Sequence, residues 1–366
     1  MRNGPGFGAA AAMQIYKCQS CGQVVFFENQ VCGRCGHKLG FLPAQTQLSA
    51  LEPQGQDEWQ ALADNDALWR SCENAQYDVC NWLVPAASEE RYCTACRHNR
   101  TVPDLSLDAN LEAWRKMEFA KHRLFYTLLK LDLPMPNRVD DPEHGLVFDF
   151  LVDPPQTGQK VLTGHDEGLI TLAVAEADDA ERERRRTSMH EPYRTLLGHF
   201  RHEVGHYYWD RLVRDAGRQD ECRAVFGDDR EDYAASLQKH YNEGPPPNWQ
   251  EDYVSAYATT HAWEDFAEAW AHYLHIIDSL ETASSFGLEV HPDIAKDPVL
   301  HADSGIDPYR AGGFERLMEV WIPLTIALNA MNRSMGLGDL YPFVLSPAVV
   351  RKLSYIHDLV HASPND

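Results

Sequence analysis

Five consecutive residues, His202-Glu203-Val204-Gly205-His206, have the types and spacing most specific for chemistry in this chain. Histidines four apart share a face only on an α-helix, where both imidazoles can reach one zinc ion. Glu203 lies one position round from His202, which suits a general base acting on water better than a metal ligand. The motif therefore predicts a helix. The flanking pattern agrees, because Tyr193, Leu196, Leu197, Phe200, Val204, Tyr207 and Leu212 recur at three- and four-residue steps. A hydrolytic zinc also needs a third protein ligand and an open position. A second helix over 264–280 offers candidates. Its apolar stripe is Phe266, Trp270, Leu274 and Ile277, while Glu264, Glu268, His272 and His275 line another face. Glu264 and Glu268 are one turn apart, so one can bind metal while the other holds a ligand imidazole from behind. Periodicity leaves open which does which. Asp210, four residues after His206, and His261 are rival third ligands, and His199 belongs at the cleft rim. The bland alternative is a pair of core or surface histidines beside a solvated acidic face.

Eight cysteines have metal-ligand spacing. Cys18, Cys21, Cys32 and Cys35 form two Cys-x2-Cys pairs, with Gly22, Gly33 and Gly36 close behind and Val24-Val25-Phe26-Phe27 between them as a short strand. Paired knuckles of this kind put four thiolates on one zinc, and so small a unit has too little core to fold without a staple. Residues 14–42 are expected to form a zinc ribbon. Cys72, Cys80, Cys93 and Cys96 contain one Cys-x2-Cys and predict a second structural zinc in a module over 57–100, with His98 as a competing ligand. Four thiolates leave no position for water, so neither cluster is expected to be catalytic. Cys222, in a charged stretch, reads as an ordinary thiol.

The elements that must position these groups follow from patterning. Leu111, Trp114, Phe119, Leu124, Phe125, Leu128 and Leu129 mark an amphipathic helix over 107–131, with Asp108 as N-cap and Pro134 and Pro136 beyond its end. Residues 146–152 and 169–174 read as strands, and the strand at 170–174 is expected to offer an edge to an extended substrate. Residues 43–56 read as a polar connector, and the charge run from Glu176 to Arg186 as a solvated loop or helix end. From Pro192 onward the pattern is helical, broken at Gly244-Pro245-Pro246-Pro247.

The chain has 366 residues and a net charge of −22, from 33 Lys+Arg against 55 Asp+Glu. That balance disfavours nucleic acid, whose binding depends on cations neutralising phosphates, and anionic membrane surfaces likewise. No apolar run is long enough to span a bilayer. The opening MRNGPGFGAAAAM is too weakly apolar for a secretory signal and reads as a tail, with Met1 or Met13 as the start. A cytoplasmic location is expected, where thiols are more often metal ligands than disulfides.

The stretches CQSCGQVVFFENQVCGRCGHKLGF, RYCTACRHNRTVPDLS, EPYRTLLGHFRHEVGHYYWDRLV and SAYATTHAWEDFAEAWAHYLH resemble the bacterial family of zinc-binding metallopeptidases that carry an N-terminal zinc ribbon. The Glu-x3-Glu helix is similar to that of the anthrax lethal factor class of gluzincins. The resemblance implies Glu264 as third zinc ligand, leaves Glu268 behind a ligand imidazole, and makes Tyr257, seven residues before Glu264, a donor to the oxyanion. It implies an α+β chain in which the two cysteine modules precede a mainly helical, zincin-like domain with a small β-sheet over 104–366. The implied activity is hydrolysis of a peptide or protein substrate, with Glu203 as general base and one catalytic and two structural Zn2+. The stretch between His206 and Glu264 is long for that class and is expected to form a lid or insert. The rival reading is a catalytically silent protein that binds a protein partner through its ribbon.

Overall fold

Tight reversals at the cysteines shape the N-terminal part. In the computed structural model, which describes residues 14–154, 159–188, 193–293 and 300–362, β1 (Ile15–Lys17) and β2 (Val24–Phe26) form an antiparallel hairpin. Gly22 and Gly36 directly follow Cys21 and Cys35 at φ 71° and 75°, the left-handed backbone that lets each knuckle turn back on its sulfurs. Five antiparallel strands follow side by side: β3 (Lys38–Leu42), β4 (Gln47–Pro53), β5 (Trp59–Ala61), β6 (Asp64–Ser71) and β7 (Leu83–Pro85). β4 lies in the stretch expected to be a polar connector. Its Leu48, Ser49, Ala50 and Leu51 are buried, Leu48 and Ala50 in the main core and Leu51 in a cluster with Leu42, Trp69 and Leu83, while Gln19 donates to Leu48 O at 3.0 Å and accepts from Ala50 N–H at 2.7 Å. The two cysteine clusters are thus joined by a continuous sheet.

Next comes β8 (Asn99–Thr101), then α1 (Asp108–Lys130), which buries Trp114, Met117, Leu124, Phe125 and Leu128. Leu107, not Asp108, occupies the N-cap and no side chain caps the helix. The preceding turn is already held by Asp104, which accepts from the Ser106 N–H and hydroxyl, so Asp108 is left in the first turn. β8 belongs to a mixed sheet of order β10-β11-β9-β8, completed by β9 (Val147–Leu151), β10 (Gly164–Asp166) and β11 (Leu169–Ala173). β9 is parallel to both neighbours, and β10 pairs antiparallel with β11 through a turn at Glu167 and Gly168. This hairpin corrects the expected substrate edge. β11 is interior, and β10 carries the free side. Glu176 departs from the solvated reading as well. It is 1% exposed, accepts from Thr163 at 2.8 Å and from His199, and pairs with Arg185 and Arg194. The charge run opens in a 3-10 turn over Val174–Ala177 and becomes α-helical in α2 (Asp179–Ser188).

α3 (Leu196–Trp209) is capped by Thr195, whose Oγ1 accepts from Gly198 N–H at 3.0 Å, and runs into a π turn over Asp210–Arg214. Tyr193 therefore precedes the helix, and Pro192 lies outside the described residues. The stretch ahead of α6 (Ala262–Phe286) holds α4 (Gln219–Phe226) and α5 (Tyr233–Glu243), with Gly244 at φ 75° closing α5. α3 lies directly on α6 because residue 205 is glycine: a Cβ there would meet Ala267 Cα at 3.0 Å and Trp270 Cβ at 3.1 Å. The antiparallel pair β12 (Glu289–Val290) and β13 (Ala302–Asp303) precedes α7 (Phe314–Ser334) and α8 (Pro347–His361), both packed against α6. The fold is α+β. Among the described residues no helix is long and apolar enough to cross a membrane.

Candidate metal centre

The close crossing of α3 and α6 brings five polar side chains together at one place in the core. His202 Nδ1–H donates to Glu268 Oε1 at 2.8 Å, and the other oxygen of Glu268 accepts from Ser255 Oγ at 2.6 Å. Ser255 is itself set by the N–H of Ala258 at 3.1 Å. This chain of bonds leaves His202 Nε2 as the free ring nitrogen, and it stands 2.9 Å from Glu264 Oε2. His206 Nε2 stands 3.4 Å from the same oxygen. Glu264 Oε2 is buried and makes no hydrogen bond of proper geometry.

Two ring nitrogens and a buried carboxylate oxygen converging at this range are what a divalent cation satisfies. Donors held tetrahedrally about 2.0–2.1 Å from zinc lie about 3.4 Å apart, and imidazole and carboxylate are zinc ligands. The residues fit the ion. With the protein groups alone, burial works against charge on His202, yet Glu264 and Glu268 hold it well above the usual imidazole range. Burial likewise opposes ionisation of Glu264, but His206 and His202 hold it well below the usual carboxylate range. Burial pushes the carboxyl of Glu203 up to about 7, with His202 opposing and Glu264 and Glu176 reinforcing. A bound cation would take the place of the proton on His202 Nε2, while Nδ1 keeps the one shared with Glu268.

Tyr233 was not anticipated. Its hydroxyl, at the start of α5, donates to Glu264 Oε1 at 2.6 Å. The long stretch before α6 thus contributes directly to the centre. Tyr257, in a 3-10 turn just ahead of α6, has its ring 5.9 Å from that of His202. Trp263 lies against His206 with ring centroids 3.7 Å apart. The rival ligands stay away. Asp210 pairs with Arg214 at 2.9 Å, while His261 donates to Glu231 O and accepts from Trp263 N–H, both at 3.1 Å. His199 is engaged with Glu176, and His272 with the Tyr341 hydroxyl at 2.7 Å.

All nine cysteines are free thiols, and each expected set of four has its sulfurs within 4.8 Å of one another. The pairs Cys18–Cys35 and Cys21–Cys32 stand 3.6 Å apart and Cys80–Cys93 3.7 Å. Four sulfurs about 2.3 Å from one zinc have edges of about 3.8 Å, so this spacing matches tetrahedral coordination. His98 is not a neighbour of the second cluster; its Nδ1–H is committed to Leu146 O at 2.7 Å. The imidazole that approaches is His122 of α1, with Nε2 3.7 Å from Cys96 Sγ and 3.9 Å from Cys93 Sγ.

Residues 110–359 match the family model described as "Putative zinc-binding metallo-peptidase". The chain belongs to that metallopeptidase family. Residues 15–107 match a zinc-ribbon domain, so all eight clustered cysteines fall in the ribbon match and the α3–α6 crossing in the metallopeptidase match. Uncharacterized proteins of Mycobacterium bovis and Mycobacterium tuberculosis are each 42% identical over 349 residues, covering 95% of this chain and 95% of theirs. No solved structure matches.

Proposed function

We propose that this chain is a zinc-dependent peptidase whose metal is held by His202, His206 and Glu264. The observation that carries the reading is the buried Glu264 Oε2, without a hydrogen bond and facing both Nε2 atoms at 2.9 and 3.4 Å. Bound zinc supplies an acidified water and a polarised scissile carbonyl. Glu203, buried beside the ligands, takes the proton of the attacking water and returns it to the leaving amine. Glu268, braced by Ser255, keeps the proton of His202 on Nδ1 and leaves Nε2 for the metal. Tyr233 orients Glu264, and Tyr257 is the donor proposed for the developing oxyanion. The free side of β10 supports an extended peptide backbone by strand addition. The two thiolate sets hold structural zinc, which makes three ions per chain, and eight free thiols of this kind fit a reducing, cytoplasmic setting.

Glu203→Gln tests the reading. The variant is expected to keep wild-type zinc content by atomic absorption while cleavage of a peptide library falls at least about 100-fold, the usual scale for a general base. Cleavage retained in the variant removes Glu203 from the mechanism. A zinc-loaded wild-type chain that cleaves nothing overturns the hydrolase and favours the silent partner-binding protein.

A further inference from the structure

Beside His206 the chain forms a cavity of about 290 Å³, a size suited to one long side chain. Trp263, which lies against His206, and Tyr233, which holds Glu264, both line it, so cavity and metal centre share two side chains. The rest of the lining is strongly acidic. Asp210 is 7% exposed and shares Arg214, the cation among the lining residues, with Glu167, while Asp229 is taken up by Arg223 from outside. Among the described residues Asp166 and Glu231, also in the lining, have no ion-pair partner. Burial pushes Asp210 up to about 6, with Arg214 opposing and Glu167 and Asp215 reinforcing.

A second observation is independent of the acids. The His165 side chain is 1% exposed and lines the same cavity. Its Nε2 accepts from Gly168 N–H at 2.9 Å, so the ring proton is on Nδ1, and that donor has no partner. An unmet buried donor is unfavourable, and a ligand carbonyl would relieve it. His165 and Asp166 belong to β10, the strand with the free edge.

We infer that this cavity is a substrate subsite that selects a Lys or Arg side chain close to the scissile bond, with a neighbouring peptide carbonyl accepting from His165 Nδ1–H. The inference rests on the peptidase reading and names the substrate class of that same site. Trp263, Trp209 and Tyr233 give the aliphatic stem apolar walls and the cationic head aromatic faces. A bare metal ion fits less well: among the described residues, none of the donor sets lying within 4.8 Å of one another includes these carboxylates. The net charge of −22 also draws basic peptides toward the chain.

The test uses the full zinc-loaded chain with peptides carrying one Arg, and twins in which neutral citrulline replaces it. The kcat/KM ratio of Arg to citrulline is expected at about tenfold or more, or about 1.4 kcal/mol, falling toward one in Asp166→Asn/Glu231→Gln. Both positions are exposed, and a ratio within one protein cancels any difference in folded fraction. Cleavage with no preference for Arg overturns the subsite and leaves the peptidase standing. Calorimetric titration of the Glu203→Gln chain with the same peptides separates the opposite case: tighter binding of the Arg twin without turnover in wild type upholds the cationic site and removes the hydrolase. Cleavage of neither twin, with no difference in their binding, overturns both.

Discussion

Replacing Gly205 by alanine tests whether helix spacing builds the metal centre. The new Cβ would meet Ala267 Cα at 3.0 Å and Trp270 Cβ and Cγ at 3.1 and 3.2 Å. Carbon atoms in comfortable contact stand about 3.5–4.0 Å apart, and neither a backbone carbon nor the root of a buried indole can swing aside, so α3 and α6 must part by about 0.5 Å. Coordination distances tolerate about 0.2 Å. His206 is the next residue in α3, and Glu264 and Glu268 flank Ala267 in α6, so the separation falls on the donor set. Two terms oppose each other in stability. Overpacking costs about 1–3 kcal/mol, whereas alanine for glycine inside a helix returns about 1 kcal/mol. The metal-free variant should therefore lose only about 0–2 kcal/mol in thermal or urea unfolding. Affinity for the third zinc equivalent, titrated against a competing chelator with both cysteine clusters loaded, should weaken at least about tenfold, or about 1.4 kcal/mol. A third equivalent bound as tightly as in wild type would refute the idea that the Gly205 contact sets the spacing of the donors.

Two further outcomes follow from particular contacts. Tyr233→Phe removes the 2.6 Å hydrogen bond to Glu264 and should weaken the same zinc equivalent by about 10–100-fold, while unfolding of the metal-free chain stays near wild type; unchanged affinity would show that Tyr233 does not orient Glu264. Burial pushes Glu281 up to about 7, with Tyr126 opposing and Asp278 reinforcing, so the folded state holds a proton that the unfolded chain releases near 4.5. Its contribution is present at low pH and is lost as pH rises through that window. Glu281→Gln should therefore melt higher relative to wild type at pH 8 than at pH 5, by up to roughly 3 kcal/mol in stability, and a pH-independent difference would contradict the shift.

What could be read in advance divides by physical cause. Residues whose chemistry dictates both type and spacing stood out unaided: the two histidines four apart, and the cysteines in pairs. Their helix was equally plain, because burial of Phe200, Val204 and Tyr207 requires the same period that aligns the imidazoles. Glu264 and Glu268 show where periodicity stops. Both lie on the same face of α6, and only the axial offset of α3 puts one oxygen between the Nε2 atoms and the other carboxylate behind Nδ1. That offset is set by a missing side chain at Gly205 and by packing against Trp270, neither of which has a one-dimensional signature. Tyr233 and His122 come from segments more than twenty residues away from the groups they touch, so no local pattern marks them. β10 escaped notice because three residues are too few to alternate visibly, and its presence moved the sheet edge from β11 to His165 and Asp166. Residues 47–53 looked polar because Gln47, Ser49, Glu52 and Pro53 mask a strand whose centre packs into cores built by residues distant in sequence, and whose backbone is bonded by Gln19 nearly thirty residues earlier. The pattern is consistent: donor atoms that bind a metal are constrained by covalent reach, which is local, whereas the groups that steady those donors are constrained by tertiary contact. Substitutions among the steadying groups should therefore grade zinc affinity without abolishing it, whereas loss of a donor at 202, 206 or 264 should remove the third equivalent outright.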